Sequence, residues 1–137
     1  MIELSTNINI DKSVDDVFKL MYDQIDNSNN INEDLYKIIE WKISEGGNSG
    51  IFWSVYEDPK FKEAYQTGPE IQVLDNERHP DAKANPKFHQ AGALYDMVQP
   101  EQDVCNPAGE WNLCIIKVNH KTNEGSVTLN GTVIVKF

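Results

Sequence analysis

Apolar and polar residues alternate along most of this chain, the period of two that marks half-buried strands. Between Leu35 and Ile43, Leu35, Ile39, Trp41 and Ile43 share one parity with Lys37, and Tyr36, Ile38, Glu40 and Lys42 take the other. Gly46-Gly47-Asn48-Ser49-Gly50 then predicts a turn, its glycines and Asn supplying positive φ, before a strand over Ile51–Tyr56. Glu70–Leu74 predicts a further strand, with Glu70, Gln72 and Leu74 on one face and Ile71 and Val73 on the other. Ala91–Asp96 predicts a short strand of small residues, and Glu110–Val118 a long one. Ser126–Leu129 and Thr132–Phe137 flank Asn130-Gly131, a strong hairpin signal.

The first 30 residues differ in texture. Residues 2–10 alternate as a strand; Ser13 and Asp16 then resemble a capping box opening a helix whose stripe is Val14, Val17, Phe18, Met21 and Ile25. Asn27-Ser28-Asn29-Asn30 ends that helix near Asp26 and marks a boundary. The expected organisation is an N-terminal strand–helix segment over 1–30 and a β-sandwich over 35–137. Two segments break the strand pattern within the sandwich. Residues 57–67 are polar, with Phe61 and Tyr65 at helical spacing, and 75–90 form a long Pro-containing loop of the kind that often carries function.

Composition narrows the partners. In 137 residues, 12 Lys and Arg face 22 Asp and Glu, a net charge of -10, which repels nucleic-acid phosphates and anionic lipid. A neutral polar ligand such as a sugar is unaffected. Cys105 and Cys114 lie nine positions apart with no accompanying His cluster, so no zinc site is expected and Cys114 reads as a buried thiol. The N-terminus shows no signal peptide, and there is no transmembrane run. Localisation stays open.

Chemistry concentrates in Gly68–Asp81. The polar face of Glu70 and Gln72 either meets solvent or floors a groove for a polar ligand. The loop after it carries Asp75, Asn76, His79 and Asp81.

The stretches Glu40–Phe52, Thr67–Asn76 with His79-Pro80-Asp81, Ala91–Asp96, Gly109–Asn112 and Leu129–Gly131 resemble, in order, the 3-keto-disaccharide hydrolase domain. That family is also called 3-keto-glucoside 1,2-lyase/3-keto-2-hydroxyglucal hydratase and, earlier, domain of unknown function 1080. The resemblance covers residues ~36–137 and implies an all-β, concanavalin A-like jelly-roll sandwich that cleaves glycosides oxidised at C3. Members are commonly exported. Residues 1–25 weakly resemble the opening strand and helix of a START-like (polyketide cyclase-type) domain. The family domain normally extends beyond both ends of the match, so the chain reads as a fragment, fusion or divergent member with an incomplete sandwich, whose exposed sheet edges invite self-association.

The implied chemistry needs a base for the C2 proton, which the C3 ketone acidifies, donors for the enolate oxygen, and an acid at the leaving oxygen. Glu70 is then the expected base, or else a hydrogen-bonded strand carboxylate. His79 is the expected acid–base partner, or a surface imidazole. Gln72 donates to a sugar hydroxyl or the enolate, or is only the polar half of its strand. Asp75 and Asn76 contact the sugar or cap their own turn, with capping favoured. Asp81 orients His79 or shapes its turn; Asn48 shapes the glycine turn or binds sugar; Tyr95 offers hydroxyl or ring. Trp41, Trp53 and Trp111 read as core, and His89 and His120 as surface. No cofactor is expected; a divalent metal bridging Glu70, Asp75 and His79 is conceivable, though no spacing demands it. The alternative is a non-catalytic carbohydrate-binding or structural module.

Overall fold

The computed structural model describes residues 17–23, 35–56 and 58–137. Among these residues, seven strands form two antiparallel sheets: β1 (Val17–Asp23), β2 (Leu35–Lys42), β5 (Asn112–Asn119), β6 (Glu124–Leu129) and β7 (Thr132–Lys136) in the order β1-β2-β5-β6-β7, and β3 (Asn48–Phe52) with β4 (Glu70–Leu74). The described residues are thus all-β, with a 3-10 turn at Ala64–Gln66 and one short helix, α1 (Asp81–Ala84). Among the described residues no helix is long and apolar enough to cross a membrane.

The period-two parity places the core. Ile39, Trp41 and Ile43 from β2 and its end, Cys114, Ile116 and Val118 from β5, Val127 and Leu129 from β6, and Ile134 and Val135 from β7 are buried in one cluster. Ile71, Val73 and Leu74 of β4 join it, so the two sheets share one core, while Glu70 and Gln72 take the parity opposite Ile71 and Val73. At the β6–β7 hairpin, Asn130 and Gly131 take φ values of 49° and 85°, the two positive angles of a type I′ turn. The Asn130 amide also stitches the hairpin to the body: its Oδ1 accepts from Leu113 N at 2.9 Å and its Nδ2 donates to Val104 O at 2.8 Å.

Three expectations about the elements are corrected. Residues 17–23, expected within a helix, form β1, which pairs with β2 from Val17↔Lys42 to Asp23↔Lys37; Val17, Phe18 and Tyr22 are strand formers, and ladder pairing overrides a local helical stripe. The remainder of that helix and the strand over residues 2–10 lie outside the described residues. Asn48, Ser49 and Gly50 belong to β3 rather than to the turn, Asn48 standing opposite Leu74. The strand expected over Ala91–Asp96 is reduced to a bridge, Leu94 pairing with Ile71. It still borders β4: Gln72 N donates to Ala93 O at 3.0 Å, Gly92 N to Gln72 O at 2.8 Å, and Tyr95 N to Glu70 O at 3.0 Å.

Trp41 is core, at 1% exposure, and Trp53 packs against the core and stacks on Phe137. Trp111, expected in the core, is instead exposed, with Lys42 Nζ 5.5 Å from its ring. The reason is parity: Asn112 turns inward at the start of β5, so its neighbour turns out.

Candidate active site

Strand β4 projects Glu70 and Gln72 away from the core, and the segment from Asp75 to Met97 folds back over that face. Between them lies a hollow of ≈490 Å³ whose wall includes Asn48, Glu70, Gln72, Asp81, Tyr95 and Asp96, a volume suited to a small ligand. Tyr65 and Met97, each 65% exposed, stand at its rim with Gly68. Across the strand pair, Gly50 makes room for Glu70: a β-carbon on Gly50 would collide with the Glu70 carboxylate. A strand glycine at a point of close approach is the expected solution to such crowding.

The returning loop is held by Asp75. Its carboxylate is buried and accepts from Gly46 N at 2.8 Å, Glu77 N at 3.1 Å, Arg78 N at 3.3 Å and Arg78 Nη1 at 3.3 Å. Burial alone would raise its pKa, but these donors outweigh it and hold the carboxyl below the usual range. Asn76 pins the same loop, its Oδ1 accepting from Ala91 N at 2.8 Å and its Nδ2 donating to Asp103 at 3.2 Å. Both residues therefore stabilise the loop, and neither is among those lining the hollow.

Helix α1 presents Asp81, whose carboxylate gathers the residues that face the hollow. Oδ1 lies 2.8 Å from His89 Nδ1; Oδ2 accepts from the Tyr95 hydroxyl at 3.1 Å and from Gln72 Nε2 at 3.4 Å. His89 is buried, at 9% exposure, and its Nε2 lies 2.7 Å from Asp96 Oδ1. The Tyr95 ring stacks on the imidazole, with centroids 4.2 Å apart. Gln72 Oε1 is buried without a hydrogen-bond partner among the described residues, an arrangement that costs about 1–3 kcal/mol unless a ligand supplies the donor.

These contacts set the charges. Burial pushes Glu70 up to about 7; the negative charge of Asp81 adds to the rise and His89 opposes it. Burial works against protonation of His89, but hydrogen bonds to Asp96 and Asp81, and their charges, move its pKa upward overall. Tyr95 is pushed up to about 12, first by burial and then by its bond to Asp81, so the phenol keeps its proton. A carboxyl titrating near neutrality on the wall of a hollow suits acid–base chemistry.

The structure thus brings Glu70, Gln72, Asp81, Asn48 and Tyr95 to one hollow. His79 stays outside that lining; its Nδ1 accepts from Asp81 N at 3.1 Å, capping the start of α1. Asp81 does not orient His79 with its carboxylate, which goes to His89 instead. His89, read from the sequence as a surface residue, occupies the centre of the cluster. Among the described residues no three His, Cys, Asp or Glu side chains are grouped to hold a metal ion. A bridge over Glu70, Asp75 and His79 is not formed, because Asp75 is engaged by backbone amides.

The described residues thus form an all-β frame with a carboxylate-lined polar hollow beside one sheet. Residues 33–137 match the model of the 3-keto-alpha-glucoside-1,2-lyase-like domain, and the chain belongs to that family. A 3-keto-disaccharide hydrolase from Bacteroides thetaiotaomicron is 42% identical over 89 residues, covering 58% of this chain and 31% of that protein. A crystal structure from Parabacteroides distasonis, provisionally named a glycosyl hydrolase, superposes with a TM-score of 0.68 at 32% identity over 77% of this chain and 50% of its own. A second Parabacteroides distasonis structure, with the same provisional name, shares the fold at a TM-score of 0.63 and 20% identity, covering 92% of this chain and 61% of its own. The chain spans about a third of the curated relative's length and half of the first solved structure's.

Proposed function

We propose that this chain cleaves 3-keto-glycosides by removing the C2 proton, expelling the group on C1 and adding water to the resulting glucal. Family membership supports the substrate class. The observation that carries the residue assignment is Glu70, projecting into the hollow with its pKa raised to about 7. A carboxylate of that basicity is a stronger base than a solvated one, yet is still ionised in good part at neutral pH. The C2–H electron pair moves toward the C3 carbonyl as Glu70 takes the proton. Collapse of the enolate then releases the C1 oxygen, and a proton reaches that oxygen from an acid in the hollow.

The phenol of Tyr95, which keeps its proton, supplies hydrogen bonding beside Asp81. Gln72 contributes its unpartnered Oε1 as an acceptor for a sugar hydroxyl. Tyr65 and Met97 offer exposed apolar surface against which a sugar face packs. The hollow contains acceptors in excess, which fits a neutral, hydroxyl-rich ligand. His79 takes no part in this scheme.

The test is incubation of the protein with a chromogenic 3-keto-glucoside and with its unoxidised parent. Release of the chromophore from the first alone is expected. Saturable binding without release would replace this reading with a carbohydrate-binding module.

A further inference from the structure

We propose that His89 is a positioning residue, held as an imidazolium between Asp81 and Asp96, which through Asp81 aims the Tyr95 hydroxyl and the Gln72 amide into the hollow. The role rests on the activity assigned above; the charge state does not.

Both ring nitrogens of His89 meet carboxylate oxygens, at 2.8 Å on Asp81 and 2.7 Å on Asp96. An ionised carboxylate only accepts, so both contacts are hydrogen bonds only when both nitrogens carry protons. Each carboxylate accepts from further donors: Tyr95 and Gln72 on Asp81 Oδ2, and Asn85 Nδ2 on Asp96 Oδ1 at 3.1 Å. The Tyr95 ring, 4.2 Å away and within 17° of parallel, is placed for cation–π attraction. The groups facing His89 are Asp81 from α1, Asp96 and Tyr95 from the turn after the bridge, and Glu70 from β4, whose pKa His89 lowers.

Three consequences follow for the site. With both nitrogens engaged, His89 does not carry protons to or from substrate. Its Nδ1–H occupies Asp81 Oδ1, leaving Oδ2 to order the phenol and the amide. The Gln72 amide is thereby fixed with Nε2 toward Asp81, which leaves Oε1 as the atom available for a ligand hydroxyl. Gln72 is then an acceptor at this site, not the donor to an enolate expected from sequence.

Nitrogen NMR of the imidazoles tests the charge state directly, because the chain has three histidines and His89→Gln assigns the resonances. Both His89 nitrogens should be protonated at pH 7. A neutral tautomer at that pH would overturn the proposal. Asp96→Asn, at a side chain that is 60% exposed, should move the His89 titration to lower pH; an unmoved titration would equally overturn it. In turnover, His89→Gln should lower kcat/KM several-fold at pH 7 and shift its acid limb from about 7 to higher pH, because a cation facing Glu70 is gone. A limb that stays in place, with only the melting temperature reduced, would mean that His89 merely supports the loop. The NMR experiment uses no substrate, so failure of this proposal is distinguishable from failure of the assigned activity.

Discussion

Two aspartates six positions apart on one loop, Asp75 and Asp81, show how the same side chain serves two ends. Asp75 is saturated by the backbone amides of Gly46, Glu77 and Arg78 and by the Arg78 guanidinium. It joins the β2–β3 turn to the loop after β4 and has nothing left for a ligand. Asp81 bonds to the side chains of His89, Tyr95 and Gln72, and its surroundings open into a hollow. Backbone donors mark a carboxylate that builds the loop, whereas side-chain partners around a cavity mark one that orders the lining of a hollow.

The two regions should respond differently to substitution. The largest effect is expected at Glu70→Gln, with turnover of a 3-keto-glucoside falling by about 10²–10⁴ while the protein melts no earlier than wild type. Steady-state rates and a thermal scan check both halves. Asp75→Ala should do the reverse, costing about 2–4 kcal/mol in denaturant unfolding because buried amides lose their acceptor. The protein that remains folded should turn over within a few-fold of wild type; a large loss of rate without loss of stability would erase the contrast between the two aspartates.

Gly50→Ala sits between these cases. Its methyl group displaces the Glu70 carboxylate, so kcat/KM should drop by about 10–100-fold with stability changed by only about 1 kcal/mol. The pH response separates the regions again. As the proposed base Glu70 would act ionised, so kcat/KM should climb about tenfold per pH unit toward pH 7 and level off above it. Its raised pKa means the folded state binds that proton more tightly than the unfolded chain; the associated stability is present at low pH and lost as pH rises through about 7. The lowered pKa of Asp75 has the opposite sign: its contribution is present above the unfolded value of 3.8 and lost as pH falls through its folded value. The smallest effect is expected at His79→Ala, where loss of the contact to Asp81 N should cost about 1 kcal/mol and leave turnover within a few-fold.

Much of the fold was legible because strand parity is local. Ile39, Trp41 and Ile43 on β2, and Ile71 against Gln72 on β4, can be assigned to opposite faces from neighbouring residues alone, and Asn130-Gly131 announces its hairpin. β1 was not legible: Val17, Phe18 and Met21 fit a helical stripe as well as a strand, and only the β2 edge decides between them. The site divides in the same way. Glu70 and Gln72 were visible as the polar face of a half-buried strand. His89 was not, since its partners Asp81 and Asp96 lie eight residues before and seven after it, and no spacing rule links them. His79 drew attention instead by following the strand, although its ring only caps the next turn.

The central claim is that Glu70 takes the C2 proton, and hydrogen exchange reads that step directly. In D₂O, proton NMR of a 3-keto-glucoside or an analogue that cannot eliminate should show the C2–H signal vanish with wild-type protein and persist with folded Glu70→Gln. Exchange at the wild-type rate in the Glu70→Gln variant would contradict the account.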